Sequence, residues 1–112
     1  MSLSQRLRHR VLIQAKEIVT GSGGEPLGHE WVDFIADVPA EVLTGPGREF
    51  HAADAKQAET SARMTLRWFP GLLPTMRIAW EGLLYNITSI ETDRTGRMEY
   101  RLRCQEGPTD GA

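Results

Sequence analysis

Apolar and polar residues alternate along much of the chain, which is the pattern of half-buried β-strands. An early run, "RLRHRVLIQAK", has mostly apolar residues on one face and mostly basic residues on the other, and its inner set is Leu7, His9, Val11, Ile13 and Ala15. A late run, "RMEYRLRCQ", alternates likewise, with the inner set Met98, Tyr100, Leu102 and Cys104. Both runs predict strands that bury one face and present arginines on the other.

Turn residues divide the chain between these runs into further short strands. "TGSGGEPLG" predicts a hairpin loop, and strand material follows in two pieces, "WVDFI" and "VPAEVL", where Pro39 indicates an edge or a bulge because it cannot donate to a ladder. The next strand has Ala62, Met64, Leu66 and Trp68 on one face. Turns at Pro70-Gly71, Glu81-Gly82 and 93–96 separate the rest. Six or seven strands at such spacing predict an all-β protein, either a barrel or a sandwich. We favour a small antiparallel β-barrel because closure hides the sheet edges.

Residues 45–59 break this pattern. "GPG" ends a strand, and "HAADAKQAET" is rich in alanine and polar residues, which favour helix. Few large apolar residues could anchor such a helix, and short isolated helices are marginal in water. We interpret this segment as a long excursion from the barrel, partly helical or disordered in isolation, and connections of this length are commonly functional. The tail, about 106–112, is expected to be flexible.

Composition narrows the class of protein. A chain of 112 residues is most simply one domain, 1–112. Its net charge of -2 gives no global reason to expect nucleic-acid binding, and its single cysteine excludes an internal disulfide. No apolar run approaches the roughly 20 residues of a membrane helix, and the N-terminus does not resemble a signal peptide. A soluble, cytosolic protein without membrane contact is expected.

Residues that could support catalysis or bind a metal are scattered. The three histidines, His9, His29 and His51, are isolated, and no CxxC or carboxylate cluster of metal-binding type is present. Cys104 lies on an inner face, and neither "GSGG" nor "GPG" has the Lys-Ser/Thr of a P-loop. The sequence therefore predicts no enzyme activity, no cofactor and no metal.

Outward arginines leave one alternative function open. Arg63 and Arg67 share the outer face of one predicted strand, and Arg101 and Arg103 share that of another. Small barrels of the OB type bind single-stranded nucleic acids through such side chains beside stacked aromatics. Trp68 is expected on the opposite, inner face, and ion pairing of the arginines with Glu81, Glu91 or Glu99 is the competing interpretation. An OB-like nucleic-acid-binding module remains the alternative.

The order of several landmarks resembles a known family. "LRHRVLIQ", a glycine-rich loop, "EWVDF", "AEVLTGPGREF", "TLRWFPGLLPTMRIAWEGLLYNI" and "RLRCQE" follow one another as in the head-tail joining proteins of tailed bacteriophages and prophages. Members of that family are also called head-closure, stopper or adaptor proteins. The resemblance covers about Leu7 to Glu106, and none of its motifs is a catalytic signature.

The resemblance implies a structural function. Such proteins are small β-barrels that form a homo-oligomeric ring beneath the portal or its adaptor, retain the packaged double-stranded DNA and dock tail proteins. The protein would be made in the host cytoplasm and end in the virion connector, and a monomer is one option before assembly. Partner contacts are predicted on the excursion and on the "FPGLLP" turn, namely Arg48, Glu49, Phe50, Asp54, Lys56, Glu59, Leu72 and Leu73. The alternatives are a mobile insert without a partner for the excursion, and burial over a barrel end for the two leucines.

Overall fold

The computed structural model describes residues 3–44, 61–93 and 95–107. A short helix, α1 (Leu3–Arg6), precedes six strands: β1 (His9–Thr20), β2 (Pro26–Thr44), β3 (Ala62–Arg67), β4 (Arg77–Trp80), β5 (Leu83–Thr92) and β6 (Glu99–Glu106). The strands form a closed barrel in the order β1-β2-β3-β6-β5-β4, and each neighbouring pair is antiparallel. The predicted all-β barrel is confirmed, with six strands. The predicted excursion, 45–59, and most of the predicted flexible tail lie outside the described residues.

The inner faces of the strands fill the barrel with apolar side chains. The largest fully buried side chains come from β1, β3, β4 and β6, and they are Ile13, Met64, Leu66, Ile78, Leu102, Val11 and Cys104. Trp68 packs against this core and stacks on Tyr100 with the ring centroids 6.1 Å apart, as expected for an inner-face aromatic. Burial of apolar surface, at about 25 cal/mol per Å², is the main force that holds the barrel together.

The strand β2 is continuous, whereas the sequence predicted two pieces. Val11 pairs with Val38 and Ile13 with Ile35, so β2 has an extra residue between these two pairs. Asp37 lies within this bulge and adopts a positive φ of 56°, and Pro39 follows the bulge, opposite Arg10. The prediction that Pro39 marks a bulge or an edge agrees with this geometry, because the bulge bends the strand without ending it.

Two residues predicted on inner faces are exposed at strand ends. His9 begins β1 and is exposed, with its ring edge-on to Trp80 at 5.3 Å. Met98 precedes β6 and is 67% exposed, although its carbonyl accepts a hydrogen bond from the Trp68 N–H at 3.1 Å. Leu7 lies outside β1, because its N–H donates back to the Leu3 carbonyl at 3.2 Å in the turn after α1. Strand ends are set by hydrogen bonding, which the alternation of polarity does not report.

Cys104 occupies the interior of β6 and is 0% exposed. Burial raises the pKa of its thiol to about 12, because a thiolate there would lose its hydration. The predicted role of this cysteine as a small buried apolar residue is therefore confirmed. Within the described ranges, no helix is long and apolar enough to cross a membrane.

Candidate partner-contact surfaces

The hairpin of β1 and β2 projects beyond the barrel. β1 pairs with β4 at Leu12, Ile13 and Gln14, and β2 pairs with β3 from Ala40 onwards. Within the described residues, 15–31 therefore form a ribbon of two strands whose ladder involves β1 and β2 alone. We call residues 15–31 the arm. A two-stranded hairpin is marginally stable by itself, so its position depends on contacts at its base.

The two faces of the arm differ in chemistry. Glu17 pairs directly with Glu30, next to the Ala15–Val32 pair on one side and the Val19–Gly28 pair on the other, and alternation puts these three pairs on one face. The opposite face carries the Lys16–Trp31 and Ile18–His29 pairs. Ile18 is 63% exposed and Leu27, near the tip, is 64% exposed. The arm therefore presents acidic and large apolar side chains to solvent.

Polar and aromatic contacts fix the base of the arm to the barrel. Arg77 on β4 donates its Nε–H to Gln14 Oε1 at 2.7 Å, and Gln14 Nε2 donates to Asp33 Oδ1 at 3.0 Å. The Arg77 guanidinium lies 4.2 Å from the centroid of the Trp31 ring, and Lys16 Nζ lies 5.4 Å from the same centroid. Cation–π contacts of this kind orient the tryptophan and connect the arm to a third strand.

Arginines cover the outer face of β3 and β6. Arg63 pairs directly with Arg103, while Thr65 pairs with Arg101 and Arg67 with Glu99. Their neighbours Met64, Leu66, Tyr100 and Leu102 are buried inside the barrel. We call Arg63, Arg67, Arg101 and Arg103 the arginine face. Because the two strands place these charges side by side, the predicted outer arginines do come together.

Acidic residues offset part of this charge. Arg101 lies 3.3 Å from Glu99 and 4.0 Å from Glu91, as the sequence predicted for two of its three acidic candidates. Arg6 of α1 contacts Glu41 through two hydrogen bonds, of 2.8 Å and 3.3 Å. The hydrogen bond from Arg6 lowers the pKa of Glu41. Arg103 makes no ion pair with a described residue, so the face keeps a positive surplus.

A shallow depression of about 200 Å³ opens within this surface. Leu43, which is 50% exposed, and four arginines line it together with Glu41 and Glu91; the arginines are Arg6, Arg63, Arg101 and Arg103. Leu43 is paired with Arg63 across β2 and β3. The depression therefore combines an apolar wall with a surplus of positive charge.

The two leucines of the "FPGLLP" turn, both predicted as partner contacts, differ in exposure. Leu72 is 8% exposed and belongs to the core, whereas Leu73 is 52% exposed. Tyr100 ties the turn to the barrel by donating its hydroxyl hydrogen to the Phe69 carbonyl at 2.5 Å. Gly71 has a positive φ of 102°, which a residue with a side chain rarely adopts. Leu73 is thus the leucine that is available to a partner.

The predicted contacts on the excursion, Arg48, Glu49, Phe50, Asp54, Lys56 and Glu59, lie outside the described residues. The structure does fix where this segment leaves and rejoins the barrel. Thr44 pairs with Ala62, and the Ser61 N–H donates to the Cys104 carbonyl at 2.8 Å. Both ends therefore adjoin Leu43 and Arg63 of the basic depression.

Sequence reasoning did not single out the arm as a contact surface. Its residues alternate in polarity much as the barrel strands do, so the pattern alone does not separate ribbon from wall. The signals available in the sequence were the glycine-rich tip and Ile18, an apolar residue in phase with the mostly polar outer face. Among the described residues, no group of His, Cys, Asp and Glu is placed to hold a metal ion.

Comparison with known proteins places this fold. A profile of the family described as phage head completion protein matches residues 3–107. The chain belongs to this family. Phage head completion proteins are structural proteins. The chain is accordingly a virion-associated structural protein of the head-tail region that assembles with other virion proteins. The resemblance seen in the sequence is thus confirmed.

Solved structures share the fold of this head completion protein. The solution structure of protein SF1141 from Shigella flexneri 2a has a TM-score of 0.76 and 26% identity, and the match covers 98% of this chain and 100% of that one. A chain in the virion of a native gene transfer agent has a TM-score of 0.56 and 19% identity, over 88% and 94% of the two chains. At that identity the second likeness shows the fold alone. No curated protein sequence matches the chain significantly.

Proposed function

We propose that the protein is a head-tail connector that assembles as a homo-oligomeric ring beneath the portal or its adaptor. In this position it helps to retain packaged double-stranded DNA and provides the surface on which the tail docks. Assembly takes place in the host cytoplasm, and the ring stays in the virion. The observation that carries the proposal is the family match over residues 3–107, on a closed barrel with exposed surfaces at both ends of β2.

The physical design of the molecule supports a scaffold role without catalysis. A closed barrel is rigid because every strand has two neighbours, and it leaves the arm and the "FPGLLP" turn free to differ in shape. Leu73 at the "FPGLLP" turn is a candidate contact with a neighbouring protein, since it is 52% exposed beside a turn held by Tyr100. The predicted contacts on the excursion, among them Phe50, extend the same proposal.

The arginine face is the observation that keeps nucleic-acid binding as a second candidate. Its surplus charge would suit a phosphate backbone. However, Glu41, Glu91 and Glu99 lie among the arginines, and Trp68 packs against the core instead of offering a ring for base stacking. We therefore propose that this face contacts protein. DNA inside the connector would lie nearby without being bound by this face.

Electron microscopy of DNA-filled, tailless heads from the matching phage tests the connector. Heads incubated with the purified protein are expected to gain a ring at the portal vertex and to lose less DNA than heads without it. Heads that are competent for tail joining but bind no protein would refute the proposal. Titration of single-stranded oligonucleotides over a range of salt concentrations tests the second candidate, which predicts a steep loss of affinity with salt.

A further inference from the structure

One pair of acidic residues and one pair of basic residues face solvent at opposite ends of β2. Glu17 pairs with Glu30 on the arm, near the start of β2, and Arg63 pairs with Arg103 beside Leu43, near its end. Like charges directly opposite one another destabilise a sheet. Neither glutamate makes an ion pair with a described residue. The two glutamates therefore form an unfavourable pair, and Arg103 adds positive charge beside Arg63 at the other end of β2, so the two ends would complement each other if they met.

We propose that the arm of one copy binds the arginine face of the next copy, so that Glu17 and Glu30 meet Arg63 and Arg103. This inference rests on the proposed ring and names the surfaces that build it. Glu30 and Leu43 are thirteen positions apart on one strand, roughly 40 Å at the usual rise, so the arm is far from the arginine face of its own chain. A contact between two different surfaces is heterologous, and repetition of such a contact forms a ring when the rotation between copies closes and an open filament when it does not.

The shapes of the two surfaces agree with this pairing. The acidic face of the arm has the Val19–Gly28 pair beside the glutamates, towards the tip, while Ala15 on the other side packs against the core of its own barrel. The depression beside the arginines has Leu43 in its wall and a volume of about 200 Å³, enough to admit small aliphatic side chains. Apolar contact would supply area, while the charge pairs would set orientation and register.

A second copy explains more than an acidic partner does. DNA or an acidic peptide would complement the arginine face, but it would leave the acidic, apolar arm unexplained. A basic partner would complement only the arm. Because one interface between copies uses both surfaces, and because a ring repeats it around every subunit, we commit to the second copy.

Disulfide trapping tests the contact directly. One protein carries Glu30→Cys and a second, distinguished by a small tag, carries Arg63→Cys; they are mixed under mild oxidation and separated without reductant. The native Cys104 does not interfere, since it is 0% exposed and its pKa is raised to about 12. Thr75→Cys, at an exposed position of the turn before β4, replaces Arg63→Cys in the matched control. The reaction is run in solution and on heads.

The mixed disulfide is expected to form several-fold faster than the Thr75 control. The yield should fall as salt rises, because the Debye length shrinks from about 10 Å at 0.1 M to about 3 Å at 1 M. Glu17→Lys in the arm protein should reduce the yield several-fold, and Arg103→Glu in its partner should restore it. Rescue by the second reversal excludes a folding defect as the cause of the first. Glu81→Lys in the arm protein, at an exposed acidic position in the turn between β4 and β5, should leave the yield unchanged.

The results separate this inference from the connector itself. A yield no higher than the Thr75 control both in solution and on heads, or reversals without effect, overturns the arm contact. If wild-type protein still forms a ring on heads in that case, the connector function stands and other surfaces build the ring. If the disulfide forms but heads bind no protein, the contact stands and the connector function fails. If an added oligonucleotide prevents the disulfide from forming while the other arginines of the face are intact, the arginine face binds nucleic acid. That result would overturn the proposal.

Discussion

The guanidinium of Arg77 on β4 lies 4.2 Å from the centroid of the Trp31 ring on β2. These two strands are not neighbours in the barrel, since β1 lies between them. The contact therefore crosses a strand and braces the arm against the barrel, together with the hydrogen bond from Arg77 to Gln14. A docking element held in this way loses less conformational freedom when it binds.

Trp31→Leu tests this brace, because it removes the aromatic ring and retains Arg77 and its bond to Gln14. A cation–π contact of about 1 kcal/mol would be lost, so the arm should open roughly fivefold more often. Amide hydrogen exchange of residues 16–19 should accelerate by that factor, while the amides of Leu66 and Leu102 in the barrel serve as the internal control. Equal acceleration of arm and barrel would show that Trp31 stabilises the whole protein instead of the arm.

The lowered pKa of Glu41 predicts how acid affects the attachment of α1 to the barrel. The hydrogen bond from Arg6 is the main cause that lowers the pKa of Glu41 in the folded protein. Since the folded pKa lies below the unfolded value of about 4.3, the pair stabilises the fold above that pH and ceases to do so as pH falls through the folded pKa. Glu41→Gln should thus reduce the free energy of unfolding slightly at neutral pH.

Urea unfolding at a series of pH values checks this prediction. The difference between wild type and Glu41→Gln should shrink below about pH 4. Glu91→Gln is the matched control, because Glu91 is exposed and lies at the longer distance of 4.0 Å from Arg101. A difference between wild type and Glu41→Gln that is constant with pH would mean that the carboxylate charge of Glu41 does not stabilise the fold.

Cys104 makes the protein sensitive to alkali. Its folded pKa of about 12 exceeds the unfolded value of about 8.5, so both states keep the proton at neutral pH. As pH rises above the unfolded value, the unfolded chain loses its proton first and the free energy of unfolding falls, until the folded pKa is reached. Between pH 8 and pH 10 this loss should be about 2 kcal/mol.

The Cys104→Ala variant isolates the thiol. Burial also raises the pKa of Tyr85 and Tyr100, but both tyrosines remain in the variant and their effect cancels in the comparison. The stability advantage of wild type over the variant, measured by urea unfolding, should decline from pH 8 to pH 10. An advantage that does not change would place the thiol in contact with water in the folded protein.

The alternation of polarity was sufficient to predict the barrel, because each wall strand buries every second side chain. It failed at His9, which begins β1 with its side chain in solvent, and at Leu7 and Met98, which lie before their ladders begin. It also divided β2 at Ala36 and Asp37, since sequence does not show that a bulge lets a strand continue. The opposition of Arg63 and Arg103 depends on the register between distant segments, which no local pattern contains. The polarity pattern did not identify the arm for a related reason. Only the register between β1 and β4 shows where β1 leaves the barrel.

Leu72 and Leu73 give adjacent leucines opposite roles, which provides a matched pair of variants. Leu72 is 8% exposed and should lose roughly 2–3 kcal/mol of unfolding free energy on change to alanine, because the change leaves a cavity in the core. Leu73 is 52% exposed, so Leu73→Ala should change stability by less than about 0.5 kcal/mol. If Leu73 contacts a neighbouring protein, Leu73→Asp should keep the midpoint of thermal unfolding and abolish binding to tailless heads. Normal head binding by a folded Leu73→Asp protein would remove this turn from the contact surface and leave the arm and the excursion as its candidates.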